Sequence, residues 1–134
     1  RVINDALSDL VIFSFGNMLN LSMEISDEIG CSLVDMRFIK PLDEELIEKY
    51  AKTHKYIITI EENVISGGAG SAVNEYLTKI GYSDKLKIFG VPDDFPIVGS
   101  QEDQREAAGL SKNKILEKLS LELDLKNLNK KVSA

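Results

Sequence analysis

Residues 56–81 read YIITIEENVISGGAGSAVNEYLTKIG, and the change of period inside this stretch decides the fold. Its first five residues form an unbroken apolar block rich in β-branched side chains, the pattern of a strand covered on both faces. From Gly68 onward the apolar residues fall at Val73, Tyr76, Leu77 and Ile80. Those spacings of three and four place them on one side of a helix, which Gly81 closes. The unit is strand, turn, helix.

The same unit recurs on both sides. DLVIFSF (9–15) is an apolar run ending at Gly16, followed by Met18, Leu21, Ile25 and Ile29 at helical spacing and by Gly30. CSLVDM (31–36) is the next strand. KPLDEELIEKYAKTH (40–54) is a helix with Asp43 as N-cap, Glu44 and Glu45 in its first turn, and Leu46, Ile47, Tyr50 and Ala51 turned inward. KLKIFG (85–90) is a further strand. Apolar strands alternating with helices predict an α/β fold of three layers, α/β/α, around a mostly parallel sheet of four or five strands. Beyond Gly90 the rhythm changes. VPDDFPIVG (91–99) reads as an irregular connection, Ser100 caps a short acidic helix ending near Gly109, and Ser111 caps a last helix carrying Ile115, Leu116, Leu119 and Leu123. RVINDAL (1–7) is either an edge strand or a tail, and 125–134 reads as a fraying end to a domain spanning 1–124.

A chain of 134 residues suits one domain. No segment approaches the roughly 20 apolar residues that span a bilayer. A formal charge of −6 argues against nucleic acid, whose affinity comes from cations neutralising phosphates. Arg1 is preceded by neither an initiator Met nor a signal peptide, so the expectation is a piece of a longer polypeptide. Cys31, the one cysteine, heads an apolar strand and is read as a buried structural thiol.

The glycine-rich turn SGGAG (66–70) opens a helix, where free N–H groups favour anions. Yet GxGxxG counted from Gly68 requires glycine at the position of Val73, and a Gly-Lys-Ser/Thr ending is absent. A carboxylate about 4 Å from a phosphate costs about 1 kcal/mol in water and about 4 kcal/mol at an effective dielectric near 20, so Glu61 and Glu62 oppose such a ligand. Adjacent strand residues point to opposite faces, which lets one glutamate satisfy the helix start itself. Three readings stay open: a structural or docking turn, a glutamate serving a site elsewhere, and a phosphate cradle.

DMRFIKPLD (35–43) puts Asp35, Arg37 and Lys40 at the carboxyl edge of the second apolar strand, where open parallel sheets place ligands. Arg37 has the fork for a carboxylate or phosphate, and the alternative is an ion pair with Asp35 or Glu61. His54, after a helix end, is read as an exposed imidazole with no catalytic part. One Cys and one His fall short of a zinc set, the acidic residues lack EF-hand spacing, and Asp93 and Asp94 read as a turn. No GxSxG elbow occurs, and Ser14 sits among Phe residues as a buried hydroxyl.

Three stretches, DMRFIKPLDEELI, EENVISGGAGSAVNEYL and GVPDDFPIVGSQEDQREAAGL, together resemble the C-terminal domain of the 1-deoxy-D-xylulose-5-phosphate synthase family, a transketolase-type enzyme. The resemblance runs from about Leu10 to Leu123 and departs at Val98, where many members carry His. It implies a parent enzyme that uses thiamine diphosphate and Mg to join a two-carbon unit from pyruvate to glyceraldehyde 3-phosphate. That reaction supplies isoprenoid, thiamine and pyridoxal synthesis in the cytoplasm. The metal-binding Gly-Asp-Gly of that family does not occur here, so the expectation is a fragment with no catalytic, cofactor or metal residues of its own. The resemblance also implies that a short antiparallel strand precedes the first apolar one, and that the domain packs on its own chain's N-terminal and middle domains within a homodimer. Candidate docking residues are Asp35, Arg37, Lys40, Glu61, Glu62, Gly67, Gly68 and Gly70, with the glycines bringing the helix start close to a neighbouring surface. The competing readings are a small-molecule-binding α/β module and the matching domain of a 2-oxoacid dehydrogenase E1 beta chain or a transketolase.

Overall fold

The computed structural model describes residues 1–37, 42–64, 68–91 and 99–123. Its elements run β1 (Val2–Asn4), β2 (Leu10–Phe15), α1 (Leu19–Ile29), β3 (Ser32–Arg37), α2 (Glu44–Thr53), β4 (Tyr56–Val64), α3 (Ala69–Ile80), β5 (Leu86–Val91), α4 (Gln101–Ala107) and α5 (Lys112–Glu122). The five strands lie in the order β1-β3-β2-β4-β5. β2, β3, β4 and β5 are mutually parallel, and β1 pairs antiparallel with β3 through Val2 opposite Val34. The sequence left 1–7 open between strand and tail; the ladder to β3 makes 2–4 a strand.

Successive strand residues feed two separate cores, one on each side of the sheet. Leu10, Ile12, Leu33, Ile58, Ile60 and Phe89 join Ile25 of α1 and Ile115 and Leu119 of α5. Val11, Phe13, Val34 and Ile57 join Ile47, Tyr50 and Ala51 of α2 and Val73 and Leu77 of α3. The strands therefore read as solid apolar blocks because both faces are covered. The Phe13 and Tyr50 rings meet edge to face at 6.0 Å.

The helix ends follow the sequence signals. Asp43 accepts from Leu46 N–H, Ser111 accepts from Lys114 N–H, and Ser100 forms a capping box with Asp103. Gly30 and Gly81 take the left-handed conformation that ends α1 and α3. No helix among the described residues is long and apolar enough to cross a membrane. Cys31 is buried in the first core with Ile25 of α1, and burial pushes its thiol up to about 12.

Two expectations are corrected. The third apolar strand does not stop at Ile60: β4 continues to Val64, so Glu61 and Glu62 are strand residues. His54 is not exposed but 6% accessible. As the residue ending α2 it turns extended (φ −120°, ψ 145°), which carries the imidazole inward. Nε2 then lies 3.0 Å from Ser32 Oγ, Nδ1 lies 2.9 Å from Thr53 Oγ1, and the ring rests 5.0 Å from Tyr50.

Candidate functional site

The sheet's carboxyl edge gathers the charged residues. Glu61 and Glu62 end β4 on opposite faces, as strand alternation requires, and each meets a different part of the protein. Glu61 is wholly buried on the α3 side. Its Oε2 accepts from Ala69 N–H at 2.6 Å and its Oε1 from Gly70 N–H at 3.1 Å. Gly68, the N-cap of α3, has no side chain to do this and sits in ordinary extended backbone (φ −83°, ψ −174°). The helix start is thus capped from across the turn by a carboxylate, which also complements the helix dipole.

Gly70 permits this contact. A Cβ there would lie 2.7 Å from Ile88 Cγ2, 2.8 Å from Thr59 Oγ1 and 3.1 Å from Glu61 Oε1. The surface that the glycine-rich turn approaches is therefore the protein's own β4 and β5.

Burial drives the Glu61 carboxyl above its ordinary value of 4.5, and the N–H groups of Gly70 and Ala69 pull it partly back. A carboxyl raised on folding holds its proton more tightly in the fold. Its contribution to stability is fully present below 4.5 and is lost as the pH rises through the raised value. Urea midpoints of the wild type and of Glu61→Gln, measured from below 4.5 to neutrality, will show the wild type's advantage shrinking as pH rises. An advantage that grows with pH would contradict this environment for Glu61.

Glu62 faces the α1 side. It takes both Nε (2.9 Å) and Nη2 (3.2 Å) of Arg105, and Asn17 Nδ2 donates to its Oε2 at 3.2 Å. This two-pronged pair fastens α4 to β4. No local pattern in the sequence links the two, since Arg105 lies 43 residues away.

At the end of β3, Asp35 is 5% exposed and organises the turn. Its Oδ1 accepts from Arg37 N–H at 3.2 Å and its Oδ2 from Arg37 Nε at 3.3 Å, while Arg1 Nη2 approaches to 3.8 Å. Of the two ion pairs open to Arg37, the one with Asp35 forms. Arg37 has φ +55°, a left-handed conformation that side chains rarely adopt, and its side chain is half exposed. Lys40, Gly67, Asp93, Asp94 and Val98 lie outside the described residues.

At the start of α3 a diphosphate would compete with Glu61. The N–H groups of Ala69 and Gly70 that one would need are taken by Glu61. Among the described residues, no three His, Cys, Asp or Glu side chains come together in a way that could hold a metal ion. The geometry is that of interlocked turns, with two half-exposed arginines sharing one buried carboxylate.

The family model described as transketolase, C-terminal domain matches residues 2–115. The chain belongs to the transketolase C-terminal domain family. As a member of it, the chain is 43% identical over 110 residues to a 1-deoxy-D-xylulose-5-phosphate synthase of Haemophilus influenzae (strain PittGG), a match covering 82% of this chain and 18% of that protein. It is 45% identical over 101 residues to the synthase of Actinobacillus pleuropneumoniae serotype 5b (strain L20), covering 75% of this chain and 16% of that one. This transketolase C-terminal domain therefore spans less than a fifth of the length of those relatives. In three dimensions it resembles a solved structure described as a split gene transketolase, inactive beta4 tetramer, with a TM-score of 0.79 at 25% identity over 97% of this chain and 42% of that one. It also shares its fold with the transketolase of Campylobacter jejuni, with a TM-score of 0.57 at 20% identity over 88% of this chain and 18% of that one.

Proposed function

We propose that this transketolase C-terminal domain is the closing part, over residues 1–124, of a thiamine diphosphate- and Mg-dependent 1-deoxy-D-xylulose-5-phosphate synthase. The parent would join pyruvate and glyceraldehyde 3-phosphate with loss of CO2, in the cytoplasm, on the way to isoprenoid, thiamine and pyridoxal precursors. The identity of 43% to 45% to synthases over a stretch of only 16% to 18% of their length supports this parent. Within it the domain docks on the N-terminal and middle domains and stabilises a homodimer, without itself carrying catalytic, cofactor or metal residues. The observation that carries this role is the occupation of the α3 start by Glu61, which turns the one phosphate-cradle candidate in the sequence into an internal cap.

The docking surface is the carboxyl edge where Arg37 and Glu62 reach solvent above the buried Asp35, Glu61, Gly68 and Gly70, with Lys40 and Gly67 continuing it in sequence. Strain held at a charged, half-exposed residue is characteristic of functional contact points, and Arg37 is the described non-glycine residue that carries it. Calorimetric titration of the isolated chain with thiamine diphosphate and Mg tests the assignment. No saturable heat is expected, and tight one-to-one uptake would overturn it.

A second reading, a free-standing module that binds small anions at Arg37, is favoured by the guanidinium's half-exposed, strained presentation. Thermal shift with sugar phosphates and nucleotides, against an Arg37→Ala control, separates it. Stabilisation that depends on Arg37 would support the module over the docking domain.

A further inference from the structure

The opposite edge of the sheet carries a feature that the docking reading does not use. At the amino ends of β2 and β4, the β1–β2 connection and the last turn of α2 enclose a cavity of about 400 Å³. Tyr50 and His54 lie along its base, with Ala6 and Lys49 beside them. The polar atoms of the base are already committed. Tyr50 Oη donates to Asp5 at 3.3 Å, and both ring nitrogens of His54 have partners in Ser32 and Thr53. What the base of the cavity presents is ring faces and aliphatic carbon, which suits an apolar occupant, while the charged groups Asp5 and Lys49 line its opening.

Such an apolar group stands on the cavity's own rim. Leu7 is 76% exposed and lines the cavity's opening. Two opposite charges, Asp5 and Lys49, also line the same opening, and neither forms an ion pair among the described residues. A patch that holds both a knob and a hole, and both a negative and a positive charge, is complementary to itself. Two copies related by a two-fold axis satisfy each such pair twice.

We infer that this amino-edge patch is a self-docking surface. Leu7 of one copy enters the cavity of a second copy, and Asp5 of each faces Lys49 of the other. So small a patch belongs with weak, transient contacts rather than permanent ones. The inference concerns the end of the sheet opposite Arg37 and Glu61, so it stands or falls apart from the proposed parent enzyme.

Sedimentation velocity on the chain, from micromolar to millimolar concentration, is the test. A monomer–dimer equilibrium is expected, and Leu7→Asp should raise its dissociation constant at least about tenfold, the loss expected for one buried leucine side chain. The exposed position of Leu7 leaves the melting temperature of that variant unchanged. Asp5→Lys and Lys49→Asp should each weaken the dimer, and the double variant should restore it, because the charges then face each other with signs reversed. A chain that stays monomeric throughout, a dimer indifferent to Leu7→Asp, or a double variant no tighter than the singles would each overturn the inference.

Discussion

Glu61→Ala will lower the stability of this domain by about 3 kcal/mol, read as a fall in the melting temperature of roughly 10 °C. The variant leaves the N–H groups of Ala69 and Gly70 buried without an acceptor, at about 1 to 3 kcal/mol each. Removing a buried charge returns part of that cost, because the carboxylate was itself desolvated. Glu61→Gln will lose about half as much. One carbonyl oxygen remains to accept, while the amide NH2 is turned toward an N–H that it cannot satisfy. Amide exchange should accelerate first in the opening turn of α3 and only later in α1 and α5. A stability for Glu61→Ala within about 0.5 kcal/mol of the wild type would mean that the carboxylate is not the cap.

Gly70→Ala will destabilise by about 2 kcal/mol, even though alanine is the better helix former by about 1 kcal/mol. The added methyl would stand 2.7 Å from Ile88 Cγ2 and 2.8 Å from Thr59 Oγ1. Both neighbours are β-branched, so their methyl and hydroxyl groups lie close to the backbone and cannot swing away. Thr59 is fully buried, and its hydroxyl has no hydrogen-bond partner among the described residues, so the methyl presses on a group already poorly accommodated. Trimming the other side tests the cause. In the double variant Gly70→Ala, Ile88→Ala, the cost of the first change should fall by at least half, and an unchanged cost would remove steric crowding as the explanation.

The parts of this fold that were legible in the sequence are those with local causes. Solid apolar blocks at 10–15 and 56–60 mark strands covered on both faces, and the caps at Asp43, Ser100 and Ser111 lie within three residues of the N–H groups they serve. The idea that a glutamate of 61–62 turns back to the α3 start also follows from local rules, and Glu61 does so. Other features have no local signature. The antiparallel β1 is three residues long and is held by its ladder to β3, some thirty residues away, so residues 1–7 alone leave strand and tail open and only likeness to a family suggests its direction. Two carboxylates after an apolar block look like the end of a strand, and β4 runs through them because each has a partner elsewhere in the fold. Arg105 reaches Glu62 through tertiary packing alone. His54 departs from its local signal: the residue after a helix is usually wet, whereas here Ser32 and Thr53 give both of its ring nitrogens partners inside the protein.

The buried thiol of Cys31 gives this molecule a chronometer of its own. A thiol pushed up to about 12 and sealed behind α1 is almost never the thiolate that alkylating reagents attack. Since the chain has a single cysteine, any labelling by iodoacetamide in native buffer records an excursion in which that wall parts. The labelling rate counts those excursions directly, without denaturant and without a mutation.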